Sequence, residues 1–96
     1  MAAKVRPCVV LSVPFDDQDR ALLTVVPHTT SVRGTRFEAV VPLPYLREGA
    51  FDAQGLVSVP RPRLERRLGA LTGSQLRPIE QAVLRWLGLG STPTVQ

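Results

Sequence analysis

The segment 5–13 has the two-residue periodicity of a β-strand, which commits the start of the chain to a sheet. One face would carry alternate apolar side chains, namely Val5, Pro7, Val9, Leu11 and Val13. Arg6 stands at the strand start beside Pro7, whose ring fixes the local backbone. We therefore expect Arg6 to be either a solvent-exposed strand end or a charge positioned for an anionic ligand.

Three further apolar runs predict a mainly β domain. Strands are expected over residues 21–26, ending at Pro27, over 37–43 and over 55–59, whereas residues 45–54 are rich in turn formers. Four strands followed by a helix predict a small β-barrel closed by a C-terminal helix, although four strands are few for closure.

Two helical segments are expected near the C-terminus. Leucines recur at helical spacing in residues 60–71, which predicts a short helix or helical turn. Thr72 and Gln75 match a capping box, but Pro78 would cost a hydrogen bond, so the last helix begins at Thr72 or nearer Pro78. Gly88 would end this helix. Its apolar stripe places Trp86 in the core.

With 96 residues the chain is long enough for one modest core. We expect a single domain over residues 1–90 and a disordered tail over 91–96. Neither a membrane-spanning run nor a signal peptide is present, which favours a cytoplasmic protein. The single cysteine, Cys8, excludes an internal disulfide and a cysteine-based metal site. We expect no metal site and no cofactor.

Arginine dominates the charge of the chain. There are 12 basic residues against 8 acidic ones, a net charge of +4, and Lys4 is the single lysine. A guanidinium grips phosphate bidentately, so this bias favours a phosphate-bearing partner, while a general coding preference for arginine would produce the same composition. The arginine cluster in residues 61–67 could contact nucleic acid, but a solvated surface is favoured.

The segment 27–36 holds the other candidate site residues. His28 is the only histidine, and it is followed by Thr29 and Thr30, with Arg33 and Arg36 in the next loop. Histidine can transfer protons, and threonine can hydrogen-bond a phosphate oxygen. Strand alternation would direct Thr29 to one face and its two neighbours to the other, so these three residues need not act together.

Four stretches together resemble the PemK/MazF toxins of type II toxin–antitoxin systems. They are "KVRPCVVLSV", "LLTVVPHTTSVRGTRFEAVVPL", "GLVSVPRPRLERRLGAL" and "LRPIEQAVLRWLGL", which span most of residues 4–90. The most specific features are Arg-Pro before an apolar strand and the V-P-x-T-T end of the next strand.

This resemblance implies an SH3-like barrel and a homodimer that cleaves single-stranded RNA without metal. Arg6 and Thr29 match the family's active-site arginine and threonine. Gln54 corresponds to a glutamine near the family's groove, with a register uncertain by one residue. We also expect His28, Thr30, Arg33 and Arg36 to contact RNA. The resemblance further implies a cognate antitoxin with an acidic, disordered segment.

The resemblance leaves one difference and one alternative. Family members usually begin with an additional strand before Arg-Pro, so we expect a barrel that lacks one strand and leaves a sheet edge unpaired. The chain would then have a misassigned start or be a truncated remnant. The alternative function is a binding protein without catalysis that engages an antitoxin, DNA or other nucleic acid, or gyrase.

Overall fold

The computed structural model describes residues 5–90 and 94–96, so residues 91–93 of the expected tail lie outside the described residues. The strands are β1 (Cys8–Val10), β2 (Leu22–Thr29), β3 (Glu38–Ala39), β4 (Ala50–Asp52) and β5 (Val57–Pro60). A single α-helix in this described part, α1 (Gly73–Leu87), follows the strands, and short 3-10 turns form at Ala53–Gly55 and Arg61–Arg63.

β2 is the strand that joins the sheet together. It pairs antiparallel with β1 along one edge, with Val9 opposite Val26. On its other edge it pairs first with β5, where Val25 faces Val57, and then with β4, where His28 faces Phe51. β3 completes the order by pairing with β4. Within the described residues β1 pairs with β2 alone.

The prediction that the second strand ends at Pro27 was wrong, because β2 continues to Thr29. The amide of His28 donates to the Pro7 carbonyl at 2.9 Å, so the nitrogen of Pro27 faces the opposite edge of β2. On that edge Pro27 lies between the residues paired with β5 and those paired with β4. A missing N–H therefore breaks no ladder hydrogen bond at this position.

The third strand is shorter than predicted, and a fourth lies within the segment predicted as turns. β3 covers two residues, since Pro42 and Pro44 soon follow it, although Val41 and Leu43 are still buried. β4 begins at Ala50 and includes Phe51, both fully or almost fully buried. The sequence signal of β4 was weak because only two apolar residues stand between charged neighbours.

The helix predicted in residues 60–71 does not form beyond the 3-10 turn Arg61–Arg63. Pro62 fits the first positions of such a turn. Gly69 lies against Tyr45, where an added Cβ would come within 2.8 Å of the phenol ring. Residues 64–72 form neither helix nor strand, and Leu71 packs against the core while Leu68 is exposed.

The capping box at the start of α1 is confirmed, so the alternative start near Pro78 was wrong. The Thr72 hydroxyl accepts from the Gln75 amide at 3.2 Å, and the Gln75 side chain accepts from the Thr72 amide at 2.9 Å. Pro78 is tolerated inside the helix. Gly88 ends α1 in the left-handed conformation, with φ of 56°. No helix in the described part is long and apolar enough to span a bilayer.

The core lies between α1 and the sheet. Its buried members are Val26, Ala39, Val41, Leu43, Phe51, Ala53, Ile79 and Ala82. Trp86 was predicted to lie in this core, but it is 43% exposed and contacts Phe37 edge to face at 5.2 Å. The helix face turned toward the sheet is centred on Ile79 and Ala82, so Trp86 lies at the edge of the packed surface.

Ile79→Ala should destabilise the protein by about 2–5 kcal/mol, because it leaves a cavity where the side chain is 1% exposed. Urea unfolding measures this free energy. Leu84→Ala, on the same helix but 54% exposed, is the matched control and should cost less than about 1 kcal/mol. Equal losses in the two variants would contradict the assigned helix face.

Candidate functional site

Arg6, one of the two residues expected to be catalytic, lies two residues before β1, and the other, Thr29, is the last residue of β2. Cys8 is paired with Pro27, and the His28 amide donates to the Pro7 carbonyl at 2.9 Å. Continued by one more step beyond β1, this antiparallel register would place Arg6 across from Thr29. Residues directly opposite in such a ladder point to the same face, with Cβ atoms about 5 Å apart. Arg6 is exposed there and Thr29 is half-buried.

The hydroxyl of Thr29 is held by a local turn. Its Oγ1 accepts a hydrogen bond from the Ser31 amide at 3.0 Å. A hydroxyl has one donor and two acceptor positions, so this bond leaves the Thr29 proton available to a ligand. Thr29 can therefore donate to an anionic oxygen while its own position stays fixed.

A polar depression of about 270 Å³ opens beside Thr29. It is lined by Thr29, Ser31, Arg33, Thr35, Glu38, Asp52 and Gln54. Three residues predicted from the sequence thus meet here, each from a different part of the chain: Thr29 from β2, Arg33 from the following loop and Gln54 from the turn after β4. Arg6, His28, Thr30 and Arg36 do not line it.

Glu38 fixes the loop that carries Arg33. Its carboxylate accepts hydrogen bonds from the amides of Arg33, at 3.1 and 3.2 Å, and of Thr35, at 2.9 Å. The Thr35 bond, followed by the other loop amides and the Arg33 charge, lowers the pKa of Glu38. Glu38 is therefore ionised near neutral pH, and loop amides share its charge.

Asp52 fixes the turn that carries Gln54, as Glu38 fixes the loop that carries Arg33. It caps the turn Ala53–Gly55 by accepting from the Gln54 amide at 3.1 Å. Asp52 and Glu38 face each other in the β3–β4 ladder. Two like charges directly opposite each other in a ladder repel. Here each carboxylate is stabilised by hydrogen bonding to backbone amides. The cross-strand pair thus anchors both loops at the rim of the depression.

His28 lies on the other side of β2 from Thr29. It is 5% exposed, and its ring contacts Phe51 edge to face at 5.0 Å. The Gly49 backbone approaches so closely that an added Cβ would come within 2.6 Å of the imidazole. Burial lowers the pKa of His28. The expected RNA contact of His28 is not supported, because strand alternation turns its side chain inward.

The two remaining predicted contacts lie outside the depression. Thr30 is exposed at the end of β2. The Arg36 guanidinium lies 4.6 Å from the centre of the Phe37 ring. Cys8 is half-buried, and burial raises the pKa of its thiol, in agreement with a packing role.

Glu38 and Asp52 were not among the site residues predicted from the sequence. Glu38 could have been found as the acidic residue within a strand that follows a polar loop, and Asp52 by its position two residues before Gln54, the spacing of an Asx turn. Among the described residues, no three histidine, cysteine, aspartate or glutamate side chains are grouped so as to hold a metal ion.

The chain is similar in sequence to a known protein family. The sequence profile described as "PemK-like, MazF-like toxin of type II toxin-antitoxin system" matches residues 2–87. No curated protein sequence gives a match.

Solved structures share the fold. The Mycobacterium tuberculosis toxin MazF-mt6 is 26% identical, with a TM-score of 0.73 over 90% of this chain and 89% of that one. A mycobacterial endoribonuclease, solved in complex with its cognate antitoxin, is 21% identical, with a TM-score of 0.75 over 91% of this chain and 84% of that one. MazF in the MazE–MazF complex of Deinococcus radiodurans is 24% identical, with a TM-score of 0.73 over 88% of this chain and 87% of that one. These similarities confirm the predicted mainly β, SH3-like barrel with a C-terminal helix.

Acidification should destabilise the protein through His28. Its pKa is lowered from 6.5 on folding, so the unfolded chain binds more protons below that pH. Stability is complete above about pH 6.5 and falls as the pH drops toward the lowered pKa, by up to about 1.4 kcal/mol per pH unit. Urea unfolding between about pH 7.5 and pH 5.5 measures this slope.

His28→Leu removes the only histidine and should flatten the slope over the same range. A slope of equal size in this variant would show that another group is responsible.

Proposed function

Because the chain belongs to the PemK-like, MazF-like toxin family of type II toxin–antitoxin systems, we propose that it is an endoribonuclease that cleaves single-stranded RNA. The observation that most supports this activity is the meeting of Thr29, Arg33 and Gln54 at one polar depression, with Arg6 two residues before the strand that pairs with β2. A cation, a fixed hydroxyl and an amide around one open surface suit a phosphodiester with unpaired bases.

The reaction begins when a ribose 2′-oxygen attacks the adjacent phosphorus. A new O–P bond forms, the bond to the 5′-oxygen of the next nucleotide breaks, and a cyclic phosphate and a 5′-hydroxyl result. Arg6 stabilises the negative charge that develops on the phosphoryl oxygens, while the Thr29 hydroxyl donates to one of them and orients the phosphate. DNA lacks the 2′-hydroxyl and would not be cut by this route.

Arg6 also faces the leaving 5′-oxygen in this scheme and donates a hydrogen bond to the charge that develops there, while water supplies the proton that this oxygen takes up. An arginine is a poor base because its pKa exceeds about 12, so another group accepts the 2′-hydroxyl proton. Arg33 and Gln54 contact the strand next to the cleaved bond. We propose that this chemistry proceeds without a metal ion or cofactor.

An antitoxin is the proposed protein partner. The mycobacterial endoribonuclease and the Deinococcus MazF were both solved with an antitoxin. The net charge of +4 would attract an acidic, disordered segment of such a partner. We also propose that the active form is a cytoplasmic homodimer, as the family resemblance implies, built from one domain over residues 1–90.

Arg6→Ala should reduce cleavage of a single-stranded RNA by about 100-fold or more, because the charge on the phosphoryl oxygens loses its fixed donor. Thr29→Val should also lower the rate, while Thr29→Ser keeps a hydroxyl and should retain much of it. Rates are measured on a fluorescent oligonucleotide in the presence of a chelator.

Arg20→Ala is the matched control, since Arg20 is an exposed arginine in the loop between β1 and β2. It should cleave at the wild-type rate. Cleavage that survives Arg6→Ala would refute the site, and cleavage abolished by the chelator would refute the metal-free reaction. Antitoxin binding by a folded protein that cuts no RNA would favour the non-catalytic alternative.

A further inference from the structure

We propose that Glu38 is a positioning residue, which holds the backbone of the loop 33–35 so that Arg33 faces the RNA strand. This inference rests on the proposed ribonuclease function. It adds a role for a carboxylate whose hydrogen bonds are made to the loop.

The contacts of Glu38 are concentrated on one short segment. Oε1 accepts from the Arg33 amide at 3.1 Å and from the Thr35 amide at 2.9 Å, and Oε2 lies 3.2 Å from the Arg33 amide. The backbone between these two donors turns at Gly34, where φ is 72°. Such a turn directs neighbouring amides toward one point, and the carboxylate occupies that point.

The loop has few other anchors. Every residue from Thr30 to Arg36 is exposed, so apolar packing does not hold this backbone. The remaining bonds are local: the Ser31 amide donates to Thr29 Oγ1 at 3.0 Å, the Glu38 amide donates to the Thr35 carbonyl at 3.2 Å, and the Phe37 amide donates to Thr35 Oγ1 at 3.2 Å. Because none of these bonds is made by Arg33, the position of its backbone depends on the carboxylate.

Glu38 itself is firmly held by the sheet. It is half-buried and pairs with Asp52 in the β3–β4 ladder. Its neighbour Ala39 is buried in the core, and Phe37 packs against Trp86. Glu38 therefore links a rigid element to an exposed loop.

The consequence for the reaction is entropic. A long, exposed arginine pays conformational entropy when it binds a phosphate, and a mobile backbone beneath it adds to that cost. Holding the backbone of Arg33 before RNA arrives removes part of the cost, as preorganised sites do. Loss of Glu38 should thus act through Arg33 and mainly raise KM, with kcat less affected.

The test combines a double-mutant cycle with amide hydrogen exchange. Glu38→Ala should lower kcat/KM about tenfold, and Glu38→Gln, which keeps an acceptor oxygen, should lower it less. Arg33→Ala should lower kcat/KM as well, and adding Glu38→Ala to it should cost less than about twofold more. Glu65→Ala, which removes an exposed carboxylate from the segment before α1, is the matched control and should leave kcat/KM unchanged.

Exchange of the Arg33 and Thr35 amides should be at least about tenfold faster in Glu38→Ala, while amides of β2 keep their protection. Unchanged exchange at Arg33 and Thr35 would overturn the inference. So would losses that simply multiply in the double mutant, since Glu38 would then act independently of Arg33. If the wild-type protein cuts no RNA, the proposed function fails, and the exchange rates alone decide whether Glu38 holds the loop.

Discussion

The pairing of β2 with three other strands is the constraint on which the structure depends. One edge of this strand carries β1, while the other carries β5 and then β4. The change of neighbour occurs at Pro27, where no amide hydrogen is needed for a ladder bond. Without that change, β4 would not reach the end of β2, and the residues around Thr29 would have only one neighbouring strand to support them.

This arrangement gives the end of β2 two different faces. His28 points inward and packs on Phe51, whereas Thr29 lies on the other face of β2 and lines the polar depression. Alternation along one strand thereby separates a packing residue from a residue proposed to be catalytic over a single step in the chain. The histidine contributes to the core and the threonine to the surface, although both residue types can take part in phosphate chemistry.

The loops at the rim of the depression are held by the carboxylates of Glu38 and Asp52. Glu38 and Asp52 lie opposite each other on β3 and β4, and each caps a loop through backbone amides. An exposed polar loop has little apolar surface to bury, so hydrogen bonds to a charged acceptor are an effective way to fix it. The negative charges of Glu38 and Asp52 would repel an anionic ligand, but both carboxylates accept hydrogen bonds from backbone amides. Arg6 and Arg33 remain exposed.

Features that depend on local periodicity and capping were determined by the sequence alone: a strand near the start of the chain, the capping box at Thr72, the helix end at Gly88 and the mainly β class. The strand predicted over residues 5–13 is shorter in the structure, where β1 covers Cys8–Val10. Arg6 and Thr29 stay predictions from the family resemblance. Only the tertiary structure decided the rest, because it depends on which strands meet. Strand pairing extends β2 through Pro27 and gives β4 a partner. Gly69 packs closely on Tyr45 in the leucine-rich segment, which does not form the predicted helix. The pairing of β3 with β4 places Glu38 opposite Asp52, where each carboxylate holds a loop of the candidate site. Such contacts join residues distant in the chain, and no local pattern encodes them.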